Sequence, residues 1–394
     1  MPHNHFWSKI FKNSGIKLPK ILMAVLVFFA GATVFIFLKQ ESGAPIEYSA
    51  PAVLSGIAEI PEKPPVHIST PKPVRGIYVT SWVAGTKDWR NSLIKMIDET
   101  ELNSVVIDVK DYSGRIAFEV SDPVLKEAGA FENRIPDIRE FIDYLHRKIF
   151  YVIAIISFFL DDYLFKKRPD LAVKRKNGAV WKDYKGIAWL NPASHEVWDY
   201  IVRVAKESEA VGFDELNFDY IRYPSDGNMK DIVLLFDNGT ATKADSIKNF
   251  FAYLSEHLAG LKIPLSVDLF GFVTTHTDDL NIGQILENAI PHFDYICPMV
   301  YPSHYPKGYE NYSNPAAHPY EIISLAMASS TERLLAANSS PSKMRPWLQD
   351  FDLGADYTAE MIRKEKQAIY DAGLDSWLLW DSANKYTRGA LDNK

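Results

Sequence analysis

The chain has 394 residues, 47% hydrophobic and 24% charged, with a formal net charge of −7, which is the composition of a folded protein large enough for one big domain or two medium ones. Four lysines and no acid precede residue 39, so the remainder carries −11, a sign that excludes an electrostatic footprint for nucleic acid. Cys297 is the only cysteine, so no intramolecular disulfide and no cysteine-based metal site can form.

The first predicted element is Ile21–Leu38, eighteen residues without a charge. At 1.5 Å per residue it spans a hydrocarbon core of about 30 Å. Lys9, Lys12, Lys17 and Lys20 before it predict a cytoplasmic basic N-terminus (residues 1–20) and an outward C-terminus. A single-pass signal anchor in the cell membrane, with the bulk of the chain extracytoplasmic, is therefore expected. A cleaved signal peptide is the alternative, but its apolar region is usually shorter and no small-x-small site follows Leu38. Residues 39–73 carry seven prolines and little apolar periodicity, and read as an extended linker.

From residue 74 to 394 the pattern becomes regular. Strand-like runs occur at Arg75–Trp82, Ser104–Lys110, Phe150–Phe159, Phe213–Tyr223, Pro264–Val273, Phe293–Tyr301, Arg345–Phe351 and Ser376–Asp381. Amphipathic segments separate most of them: Ser92–Glu101, Ile138–Lys148, Glu196–Ala210, Ser246–Ala259 and Thr358–Asp371. Gly212 and Gly373 stand where helix-capping glycines belong. Eight β-α units in about 320 residues predict a (β/α)8 TIM barrel behind a single N-terminal transmembrane helix. A doubly wound sheet is the alternative, yet the chain has no Gly-x-Gly-x-x-Gly or Walker sequence.

The fourth run is the most informative. Alternation places Glu215, Asn217 and Asp219 on one face and Leu216, Phe218 and Tyr220 on the other. Carboxylates on a strand face are costly in a core and are tolerated where that face meets a reactive cleft. Pro224 stops the ladder, so Asp219 falls near the strand's carboxyl end, where such barrels keep their chemistry. Other strands end the same way: Asp108 to Asp111, Asp268, Asp350 and Asp381. The expected pocket is lined with acids. An edge strand with a solvated face is the structural alternative.

Two stretches carry a family likeness: Trp189-Leu190-Asn191-Pro192-Ala193-Ser194-His195-Glu196-Val197-Trp198, and Asp219-Tyr220-Ile221-Arg222-Tyr223-Pro224. With Arg75-Gly76-Ile77-Tyr78, Tyr301-Pro302-Ser303-His304-Tyr305 and Trp377 to Asp381, the region from Val74 to Tyr386 resembles bacterial glycoside-hydrolase barrels, distant relatives of α-amylase and α-galactosidase type enzymes. The resemblance implies a nucleophile at the aspartate closing strand four, here Asp219. The related families draw the partner acid from strand five or six. Asp268 fits the first pattern, while strand six offers only the early Asp294 and the late Tyr301.

Glycoside hydrolysis needs two carboxyls, about 5–5.5 Å apart in retaining enzymes and 6.5–9.5 Å in inverting ones. Neighbouring strands about 4.8 Å apart could bring Asp219 and Asp268 within the shorter range. Phe270 and Phe272 could supply an apolar wall that raises one carboxyl's pKa. Asp268 could equally be a structural acid. Asp108 and Lys110 alternate onto one face of strand two, and hold a sugar hydroxyl, tune Asp219 or form an internal ion pair. Arg222 orients a carboxylate or binds substrate, and His304 is a hydroxyl ligand or a surface residue. Trp82, Tyr301 and Trp380 at strand ends are candidates for stacking on sugar rings, with Asp381 beside them. The aromatic and basic loop from 160 to 190 is read chiefly as packing on itself. No cofactor is expected, and the scattered acids argue against a metal. The expected activity is an extracytoplasmic glycoside hydrolase acting on a polysaccharide. A non-catalytic carbohydrate-binding barrel in envelope organisation is the alternative, and a barrel hydrolase or lyase of another class the third.

Overall fold

The computed structural model describes residues 65–236 and 242–394. Ile21–Leu38 and the linker up to residue 64 lie outside these residues. Among the described residues no helix is long and apolar enough to cross a membrane.

Eight parallel strands close into a barrel: β1 (Arg75–Val79), β2 (Ser104–Lys110), β3 (Tyr151–Ser157), β4 (Glu215–Asp219), β5 (Leu265–Phe270), β6 (Tyr295–Met299), β7 (Trp347–Gln349) and β8 (Trp377–Trp380). Each strand neighbours the next in chain order, and β8 closes on β1 through the pairs Arg75–Trp377 to Ile77–Leu379. All eight predicted runs are strands, shorter at their ends than the apolar runs. The outer faces, such as Leu216 and Phe218 of β4, are fully buried against the surrounding helices. A second, smaller cluster fills the barrel interior, including Val106, Ile153, Ile155, Cys297, Trp347 and Leu378.

The crossover helices are α1 (Lys87–Glu99), α2 (Ile138–Arg147), α3 (His195–Ala210), α4 (Lys243–Leu258), α5 (Pro319–Ala336) and α6 (Ala359–Asp371). Their helical stripes explain them: α2 buries Ile138, Phe141, Ile142 and Leu145, which recur at three- and four-residue spacing. Thr242 caps α4 and Thr358 caps α6 through their side chains. Helix α5 was not among the predicted amphipathic segments. Its contrast is weak, because small residues such as Ala326 and Ser330 are buried while Leu325 and Leu335 are exposed. The β5–β6 crossover has no full helix, only a 3-10 turn at Gly271–Thr274 and one helical turn at Leu286–Ala289.

Two departures from simple expectation matter for the site. The pairing of β2 with β3 slips between Asp108 and Lys110, so one residue is bulged and the alternation breaks. Residues 65–73, assigned to the linker from sequence, pack on the barrel's N-terminal end. The Ile68 N–H donates to Asp214 at 2.8 Å, the Thr70 and Tyr151 hydroxyls are 3.0 Å apart, and Ile68 packs against the interior cluster.

Candidate active site

The inward face of β4 holds Glu215, Asn217 and Asp219 at three depths. Glu215 lies deepest and is sealed. It accepts from Arg345 (2.7 Å), Ser266 (2.6 Å) and the Tyr151 hydroxyl (2.9 Å). Asn217 donates to Ser266 and to Asp268, each at 3.0 Å. Only Asp219 reaches the C-terminal mouth. The polar face that marked this strand is thus mostly a hydrogen-bonded barrel filling, with one residue left for the cavity.

The cavity has a volume of about 550 Å³ and opens at the carboxyl ends of the strands. Asp219 lines it, half-buried, next to Tyr220, whose φ of +56° is uncommon for a bulky residue. That turn aims the Tyr220 N–H back at the Asp219 carboxylate, 2.6 Å away. Burial pushes the Asp219 carboxyl up to about 6, against the Tyr220 hydrogen bond and the Arg222 charge. Arg222 is held by its own surroundings. Its guanidinium lies 4.8 Å from the centre of the Trp189 ring and donates to the Tyr223 carbonyl at 3.2 Å.

Asp268 stands next to Asp219 on β5 but does not line the cavity, and is 2% exposed. Its Oδ1 accepts from the Trp347 indole at 2.8 Å and from Asn217 at 3.0 Å. Burial, then the charge of Asp219, raises its pKa well above the usual carboxylate range. Asp108 does line the cavity, on β2. Its Oδ2 accepts from the Tyr78 hydroxyl at 2.7 Å. Burial, then the charge of Asp111, pushes its carboxyl up to about 7.

The remaining sequence-predicted residues divide. Trp82, Arg222, Tyr301, His304 and Trp380 all line the cavity. Trp380 packs at 5.6 Å from Tyr301 and 6.2 Å from Tyr78, forming an aromatic wall suited to the apolar face of a sugar ring. Trp82 is 59% exposed at the rim, with the Arg134 guanidinium 4.6 Å from its ring centre. Lys110 and Asp381 are not among the lining residues. Past the bulge Lys110 is fully buried, paired with Asp161 at 2.9 Å and donating to the Ser157 carbonyl at 2.8 Å. Its partner is therefore Asp161 and not Asp108, with which the alternation had grouped it. Asp381 braces the loop after β8, accepting from the Ala383 and Lys385 N–H groups. Sequence reasoning passed over Tyr78, Asp111 and Tyr305 as lining residues. Tyr78 was findable, since it sits on the inward register of β1. The 160–190 loop does bury Trp181 and Trp189, leaving Tyr184 exposed. Among the described residues no group of three or more His, Cys, Asp or Glu side chains is arranged to hold a metal ion.

A cavity with several carboxyls beside an aromatic wall can bind a sugar ring and move protons at a glycosidic bond. Residues 76–386 match the family model described as "Putative glycosyl hydrolase domain". A search of curated proteins returns no match. Among solved structures, the PgaB (BpsB) glycoside hydrolase domain from Bordetella bronchiseptica superposes with a TM-score of 0.56 at 14% identity, covering 78% of this chain and 94% of that one. The α-L-fucosidase isoenzyme 2 from Paenibacillus thiaminolyticus gives 0.55 at 11% identity, covering 81% and 48%. A hypothetical protein from Ruminiclostridium thermocellum is 32% identical over 52% of this chain and 98% of its own, with a TM-score of 0.45. The match runs from the first barrel strand to the loop beyond the last, and the chain therefore belongs to this glycosyl hydrolase family.

Proposed function

We propose that this barrel hydrolyses a polysaccharide outside the cytoplasmic membrane, held there by Ile21–Leu38, with Asp219 as the carboxylate that meets the anomeric carbon. One observation carries the reading. Asp219 is the β4 acid that faces the cavity, and it is set there by the strained Tyr220 turn beside an aromatic wall. Such a carboxylate stabilises the positive charge that builds at the anomeric carbon, and the leaving oxygen takes a proton from a second carboxyl. The four lysines before the apolar segment, and the absence of charge within it, support the extracytoplasmic placement.

The test is a screen of purified envelope polysaccharides, followed by Asp219→Asn on whichever is cleaved. The substitution keeps shape and removes charge, so turnover falls by several orders of magnitude while the melting transition persists. Turnover near the wild-type rate would exclude the role and favour a binding barrel. External protease on spheroplasts of cells producing the full chain removes the barrel if it lies outside. A barrel protected from that protease rules out the anchor reading.

A further inference from the structure

The acid expected from sequence, Asp268, does not line the cavity and its Oδ1 is taken by Trp347 and Asn217, so a carboxyl that does line the cavity is better placed to supply the proton for the leaving oxygen. Two other carboxyls line the same cavity. Asp111 has both oxygens engaged: Oδ2 accepts from Arg134 at 2.7 Å, and Oδ1 accepts from the Ser113 N–H at 3.0 Å and from its hydroxyl. Asp108 differs. The residue is 8% exposed, one oxygen is held by Tyr78, and Oδ1 is buried with no hydrogen-bond partner.

A buried carboxylate oxygen without a donor is unfavourable, the more so when charged. Two things relieve it: a proton on that oxygen, or a donor brought by the substrate. A general acid alternates between these states. We propose that Asp108 is the general acid of this site, fixed through Oδ2 by Tyr78 and giving its Oδ1 proton to the glycosidic oxygen. The inference rests on the reading of Asp219 as the carboxylate at the anomeric carbon.

The bond between the anomeric carbon and the bridging oxygen breaks, and its electron pair stays on oxygen. The Asp108 proton joins that oxygen and frees a hydroxyl, while an Asp219 oxygen bonds the anomeric carbon. A water then gives one proton to Asp108 and its oxygen to the anomeric carbon, releasing Asp219. One water is consumed and both carboxyls return to their starting states. The Asp108 carboxyl, at about 7, is about half protonated at neutral pH, so it can give a proton in the first step and take one in the second. Asp268 acts through others: it positions Asn217 and Trp347 beneath Asp219.

The experiment uses the full chain, its Asp108→Asn and Asp268→Asn variants, and Asp residues carrying 13C at the side-chain carboxyl. The expected spectrum has a carboxyl resonance titrating near pH 7 that Asp108→Asn removes. If no carboxyl titrating above pH 6 disappears in that variant, the proposal is overturned without any substrate. Kinetics then compare the cleaved polysaccharide with 2,4-dinitrophenyl glycosides of glucose, galactose and N-acetylglucosamine, whose leaving group needs no proton. Asp108→Asn is expected to lose at least 100-fold on the polysaccharide and under 10-fold on the dinitrophenyl glycoside, with azide restoring part of the rate. Its pH profile should also lose the basic limb. Asp268→Asn should depress both substrates alike. Equal losses on both substrates for Asp108→Asn make it structural and sink the assignment. An inactive Asp219→Asn alongside Asp108→Asn within threefold of wild type refutes this inference alone, whereas an active Asp219→Asn refutes the reading beneath it.

Discussion

Relative to wild type, Asp108→Asn should stabilise the domain at high pH but not at low pH. The wild-type carboxyl titrates at about 7 in the fold against an ordinary value of 3.8. A raised carboxyl favours the neutral form, so its contribution is fully present below about pH 3.8 and fades as pH climbs through 7. The shift is about 3 pH units, and at about 1.4 kcal/mol per unit the penalty above pH 7 reaches about 4 kcal/mol. Asparagine fills the same space, still accepts from Tyr78 and never ionises, so it escapes this penalty. The variant should match wild type, or fall about 1 kcal/mol below it, at pH 4.5. At pH 8 it should exceed wild type by about 3 kcal/mol, about 4 °C in melting temperature for a domain of this size. Urea and thermal melts at both pH values measure it. A stability difference that is the same at pH 4.5 and pH 8 would show that Asp108 ionises normally and would refute the electrostatic argument. A gain in stability with loss of turnover is the trade expected of a strained catalytic group.

Three further outcomes follow from the interior. Arg345→Ala strands Glu215, which is 0% exposed, and should destabilise the domain by about 3–5 kcal/mol in urea unfolding; a loss under 1 kcal/mol would mean that Glu215 is paired by something else. Lys110→Met should lower stability by a similar amount because it leaves Asp161 unpaired, while KM on the cleaved polysaccharide stays within about twofold; a tenfold rise in KM with an unchanged melt would restore Lys110 to substrate binding. A barrel starting at residue 65 should melt several degrees above one starting at residue 74, because only the longer one keeps Ile68 and the Thr70–Tyr151 contact; identical melts would make that segment dispensable.

The barrel was legible because its signals are local. Strand length, helical stripes such as Ile138–Leu145 and glycines at helix ends are all set by neighbours within a few residues. Gly212 and Gly373 adopt positive φ as their positions suggested. Helix α5 escaped because buried Ala and Ser and exposed Leu flatten the contrast that makes a stripe visible. The attachment of residues 65–73 escaped because it depends on partners such as Tyr151 and Asp214, which lie far along the chain.

For the site, the sequence by itself determined that β4 carries an acid at its carboxyl end and that other strands end in acids and aromatics. Parity along a strand decides which face a residue takes, and that needs no tertiary information. Only the tertiary structure decided which of those acids meets the cavity. Parity says nothing about depth, so Glu215, Asn217 and Asp219 read alike yet end as a buried ion pair, a hydrogen-bonding amide and a cavity carboxylate. Parity also assumes an unbroken ladder, and one bulged residue in β2 separates Asp108 from Lys110. Depth and register are properties of the closed sheet. They arise from how eight strands stagger against one another, and no single strand records that.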